Sequence, residues 1–170
     1  MKNVSLLSTL NNKVLVVIGA VFVTVVPCFS QKKLNFTDYP VRSKFSGKSA
    51  CVNLASAKGA KYYRTRLREA AKGGANFAGH YAIGVWGCGS PCLMAGMIDL
   101  KTGDVTWVPS PEMMVFDIAF NVNSKLLIIN SHDVLNKEAP EGPPKWIGGE
   151  WPPEIYLLWN GKRFVEKRKR

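Results

Sequence analysis

The amino-acid sequence predicts an α+β domain that is mainly β: an antiparallel meander of about six short strands with one N-terminal amphipathic helix. Three observations lead there. Between residues 57 and 72, apolar residues recur at spacings of three and four, the period of a helix with one buried face. After residue 80 the period drops to two, with Tyr81, Ile83 and Val85 alternating with Ala82 and Gly84, as in a strand. Near the end of the chain, Asn160-Gly161 stands between apolar runs at 155–159 and 163–165. Both residues tolerate positive φ, which makes the pair a strong hairpin signal.

The elements follow in chain order. Residues 1–30 carry a positive flank (Lys2, Lys13), an apolar run over 14–26 broken only by Thr24, and small residues at −3 and −1 of a cleavage point after Ser30. This pattern is that of a secretory signal peptide, so a mature chain starting at Gln31 and exported to the periplasm or the medium is expected. The run is shorter than the roughly 20 residues that cross a bilayer, and no spanning segment is expected after cleavage. Lipid anchoring through Cys28 is the weaker alternative, because Pro27 stands where a small residue is expected. Residues 31–54, with Pro40 and Gly47, read as an extended lead-in, and 55–170 as a single mainly-β domain.

Ser56 is placed to cap a helix over 57–72, stopped by Gly73-Gly74. Ala60, Tyr63, Leu67 and Ala70 form its apolar face, and Lys61, Arg64, Arg68 and Lys72 a basic stripe on another. Strands are expected at 81–86, 93–100, 105–108, 115–120 and 126–129 before the final hairpin, with tight turns at 101–104 and 121–124. Residues 131–153 hold five prolines and read as a long loop. Trp146 and Trp151 within it favour partial order, since disordered segments are poor in aromatics.

Charge and cysteines narrow the chemistry. The formal charge is +11; without residues 1–30, which hold two lysines and no acid, 21 basic residues face 12 acidic ones, or +9. Such an excess favours polyanionic partners. The mature chain keeps Cys51, Cys88 and Cys92. Cys88-Gly-Ser-Pro-Cys92 suits a tight turn closed by a disulfide in an oxidising compartment, worth about 2 kcal/mol by chain entropy. Cys51 is left as a buried thiol or an intermolecular partner.

His80, Cys88 and Cys92, with His132, could be written as a nitrogen–sulfur metal set, yet the spacing matches no familiar zinc pattern. A structural disulfide beside a hydrogen-bonded histidine is the plainer reading, and no metal or cofactor is expected. Cys-x-x-x-Cys between strands also departs from the redox pattern of Cys-x-x-Cys at a helix N-terminus. Ser131 with His132-Asp133, and the acids Glu138, Glu141, Glu150 and Glu154, supply combinations that any chain of this length offers. No nucleophile elbow is present, and no catalytic residue is assigned.

Several motifs do carry a resemblance. Residues 63–70, Asn76-Phe-Ala-Gly-His-Tyr81, Trp86-Gly-Cys-Gly89 with Cys92, and Asp99-Leu-Lys-Thr-Gly103 resemble a family of small exported bacterial proteins, as does the Tyr-Leu-x-Trp-Asn-Gly hairpin at 156–161. The resemblance spans about residues 55–165. It implies export and a single domain, and it carries no activity.

The sequence therefore points to an exported, non-catalytic envelope or secreted binding domain. The expected partner is an acidic envelope polymer, a lipid headgroup or an acidic protein, met by Lys61, Arg64, Arg68 and Lys72; after export, nucleic acid is the least accessible polyanion. Trp146 and Trp151 offer a second, aromatic contact. The alternative is a small hydrolase or metal-dependent enzyme centred on His80.

Overall fold

The computed structural model describes residues 33–90, 92–111 and 114–167. The expected signal segment lies outside them, as does the tail Arg168-Lys169-Arg170. The chain is mainly β, but its seven strands form two antiparallel sheets rather than one meander. The first sheet has the order β1 (Tyr81–Gly89), β2 (Cys92–Asp99), β3 (Val105–Trp107). The second has β4 (Ile118–Phe120), β5 (Leu126–Ile129), β6 (Ile155–Trp159), β7 (Phe164–Lys167). The link between them holds Pro109 and Pro111. Proline donates no hydrogen bond to a ladder, so pairing stops there and the next strands stack against the first sheet.

The stacking explains the composition of the strands. Ile83 and Met97 on one face of the first sheet meet Ile118, Leu127, Ile129 and Leu157 of the second in one core. Their strand neighbours Ala82 and Ile98 face the opposite way, into a second core with Leu67 and Ala71. Both faces of the first sheet are thus covered. The second sheet repeats the pattern: Leu126, Ile128 and Tyr156 turn outward and are capped by Leu34, Phe36 and Tyr39. The lead-in over 33–54 is therefore a packed layer, with Val41 reaching the central core and Phe45, Val52 and Leu54 the helix side. A strand covered on both faces needs apolar residues throughout, which is why Leu126-Leu-Ile-Ile129 shows no alternation.

The helix α1 runs Arg64–Lys72, seven residues shorter than the spacing predicts. Ser56 does not cap it. Its hydroxyl donates to the Asn53 carbonyl (2.7 Å) and accepts the Val105 N–H (2.8 Å), so it ties a series of turns to β3 instead. Trp107 Nε1 donates to the Lys58 carbonyl at 2.9 Å and pins the same turns. Beneath α1, Gly84 and Gly96 stand opposite each other in the β1–β2 register. A Cβ on Gly84 would lie 2.8 Å from Ala70 Cβ, and one on Gly96 2.7 Å from Leu67 Cδ2. The paired glycines form the seat that lets the helix lie close on the sheet.

The expected loop over 131–153 is also more regular than its prolines suggest. It contains α2 (His132–Glu138) and a single 3-10 turn at Lys145–Ile147. The final hairpin forms as expected: Gly161 has φ +95°, and Asn160 Oδ1 accepts from the N–H groups of Lys162 and Arg163, each at 2.9 Å. Among the described residues, no helix is long and apolar enough to cross a membrane.

Candidate basic-face site

The α1 side of the molecule collects positive charge. Arg64, Arg68 and Lys72 are exposed on successive turns of α1, and Lys61 is exposed on the turn before it. At about 1.5 Å per residue the three helical positions span roughly 12 Å. The stripe read from the periodicity is therefore brought together, but it is only part of the feature. Between residues 42 and 72 there are nine basic side chains and one acid, Glu69. Glu69 lies 3.7 Å from Arg66, leaving the other eight cations without an acid in their own segment. Sequence periodicity alone missed Arg42, Lys44, Lys48 and Lys58; counting charge along the chain would have found them.

Two open clefts flank this face. One, of about 470 Å³, is lined by Lys48, Cys51, Val52, Arg68, Ala71 and Lys72. The other, of about 620 Å³, is lined by Leu54, Ala57, Lys58, Lys61, Tyr62 and Arg64. All four residues of the predicted stripe thus line a cleft. Cys51 is an exposed free thiol, which settles its state against burial.

The helix pays an electrostatic penalty for this arrangement. Its first turn contains Arg64 and Arg66 and no acid, and cations near a helix N-terminus oppose the macrodipole. Arg64–Arg68 and Arg68–Lys72 are like-charge pairs at i,i+4, each unfavourable by about 0.2–0.5 kcal/mol. No side chain caps the N-terminus at Tyr63. Apolar burial of Leu67, Ala71 and the preceding Ala60 holds the helix in place.

His80 and the cysteines separate. Cys88 and Cys92 form a disulfide, Cα–Cα 5.2 Å, at the turn end of the β1–β2 hairpin. His80 precedes the first residue of β1, so eight residues of extended strand place it roughly 25 Å from Cys88. Its neighbours are Asp99, with Oδ2 3.6 Å from Nε2, and the Tyr81 ring, 4.0 Å between centroids. Burial pulls the His80 pKa down, and the Asp99 carboxylate partly offsets it. Asp99 becomes the partner because the register sets it opposite Tyr81, a pairing that sequence spacing does not reveal. His132 lies on α2, its Nε2 against the Pro152 carbonyl at 2.9 Å. Among the described residues no three metal-ligating side chains cluster.

Two acids of the second-sheet region, Glu154 and Asp133, are tied into the fold. Glu154, 2% exposed, accepts from the His132 N–H at 2.9 Å and the Tyr156 hydroxyl at 2.6 Å, and Lys33 Nζ lies 3.8 Å away. Lys33 also meets Asp133 at 2.5 Å. Trp146 and Trp151 do come together, both against Phe116, with centroids at 6.1 and 5.7 Å. Trp151 donates to Asn136 Oδ1 at 2.9 Å, and Trp146 remains 63% exposed. No protein-family model, curated protein or solved structure matches this chain.

Proposed function

We propose that this chain is an exported, non-catalytic binding domain, of the small exported bacterial family its motifs resemble, whose α1 face holds an anionic partner. One observation carries the reading: nearly the whole charge excess of residues 31–170 lies between residues 42 and 72, and six of its cations, Lys48, Lys58, Lys61, Arg64, Arg68 and Lys72, line the clefts at a helix whose own electrostatics this charge disfavours. A merely solvated helix face gains nothing from that arrangement, whereas a surface for a polyanion does. The partner class is an acidic envelope polymer, a lipid headgroup or an acidic protein, and Trp146 with Phe116 offers a separate aromatic contact. The enzyme reading retains only the His80–Asp99 pair, since Cys88 and Cys92 stand at the other end of β1.

The test compares two double variants of equal net charge. Arg68→Glu/Lys72→Glu removes cations from the 470 Å³ cleft; Lys125→Glu/Lys162→Glu removes exposed cations from the second sheet. Retention on an immobilised polyanion should fall sharply for the first pair and modestly for the second. Equal loss in both would reduce the effect to net charge and sink the proposal. Binding of the unmodified protein should weaken steeply as salt rises.

A further inference from the structure

The 620 Å³ cleft contains a side chain that the fold does not use. Tyr62 is 87% exposed, while the adjacent Tyr63 packs between Trp86 and Trp107 at 5.3 and 5.4 Å. The backbone under Tyr62 is fixed. Its N–H donates to the Gly59 carbonyl at 3.0 Å, the Lys58 carbonyl accepts from Trp107 Nε1, and Ser56 is bonded to Asn53 and Val105. An aromatic ring on a pinned turn supplies contact area with little entropy left to lose on binding. Lys58, Lys61 and Arg64 line the same cleft.

We propose that this cleft binds an acidic polysaccharide, with one pyranose ring laid on the open face of Tyr62 and its carboxylate or sulfate held by Lys58, Lys61 and Arg64. The inference rests on the basic-face reading and narrows it to one class of polymer. The ligand needs both an anionic group and a flat C–H face, because the cleft offers cations beside an unstacked aromatic ring. It also needs to be narrow. A bilayer is flat and meets only the ridge of the helix, whereas Leu54 and Ala57 are reached by a chain that enters the cleft. The cleft is open to solvent rather than enclosed, which suits a polymer better than a buried small molecule.

The experiment measures binding of the full-length protein to oligogalacturonate, to phosphatidylglycerol vesicles and to oligothymidylate at several salt concentrations. Tyr62→Ala should weaken oligogalacturonate binding about tenfold, the size expected when a stacking aromatic is removed. The slope of affinity against salt should not change, because no charge is lost. Tyr62→Phe should stay within about twofold of the parent, since the ring is kept. A Tyr62→Ala affinity within about twofold of the parent would overturn the inference. So would an equal Tyr62 dependence for vesicles, which makes the ring an interfacial anchor, or tighter, Tyr62-dependent binding of oligothymidylate. Arg68→Glu/Lys72→Glu separates the two proposals. If that variant loses polyanion binding while Tyr62→Ala does not, the basic face stands and the sugar platform falls.

Discussion

The two sheets use charge in opposite ways. The first sheet sits beside a segment in which nine basic residues face one acid, most of them exposed and lining clefts. The second, with its helix over residues 114–167, carries six basic and seven acidic residues and is close to neutral. Its most buried acid, Glu154, accepts from the His132 N–H and the Tyr156 hydroxyl, and Asp117 is half-buried against the backbone N–H groups of Ser131 and Ile118. A charge committed to the fold has its hydrogen bonds made inside the molecule; a charge left exposed and unneutralised is available to a partner. Exposed, unneutralised cations mark the α1 face as the binding surface, and substitutions in either region test that division.

The largest effect is expected at Glu154. Replacing it by alanine leaves the Tyr156 hydroxyl and the His132 N–H without their acceptor and removes an acid from Lys33. Breaking such a buried network costs about 3 kcal/mol, read as a drop of roughly 10 °C in Tm, with polyanion binding unchanged in the folded protein. Loss of binding in step with stability would show that the two regions are not independent.

Next comes the disulfide. Cys88→Ser/Cys92→Ser should cost about 2 kcal/mol by the chain-entropy argument, read in a denaturant titration. The bridge closes the end of the hairpin remote from His80, so the His80 titration followed by NMR should stay in place. A shifted His80 pKa would mean that the hairpin transmits strain along its whole length.

Asp117 gives the smallest effect, and an opposite sign. Burial raises its pKa to about 6, Glu138 adds to the rise, and the backbone N–H groups of Ser131 and Ile118 oppose it. Its Oδ2 is buried without a hydrogen-bond partner. A carboxyl with a raised folded pKa binds its proton more tightly when folded, so its contribution favours the fold at low pH. That contribution is lost as pH rises from about 4 to about 6. Asp117→Asn should therefore stabilise the protein at pH 7 and flatten stability across that window. Because the group is only partly buried, solvent screening leaves about 1 kcal/mol. An unchanged pH profile would show that the carboxylate finds water or another donor.

Much of the secondary structure was legible from the chain. The Asn160-Gly161 hairpin, the strand regions and the turn closed by Cys88 and Cys92 follow from local chemistry: positive φ, period-two alternation, and two cysteines four residues apart. The basic stripe was legible because helical spacing puts every fourth residue on one face. Two local readings failed because a long-range partner won. Helical spacing places Ser56 to cap a helix, but Val105, 49 residues away, offers its N–H. The segment 131–153 read as loop because its prolines dominate composition, while Leu135 of α2 finds burial that the pattern does not announce.

Local chemistry dictates which segments become strands, makes α1 basic and pairs Cys88 with Cys92, since each depends on neighbours within a few residues. The division of the strands into two stacked sheets, the lead-in over the outer face, Asp99 rather than Cys88 beside His80, and Tyr62 exposed in a cationic cleft all follow from long-range packing. Those outcomes turn on which apolar face meets which. One-dimensional periodicity shows that a face exists, but not the surface it will be buried against.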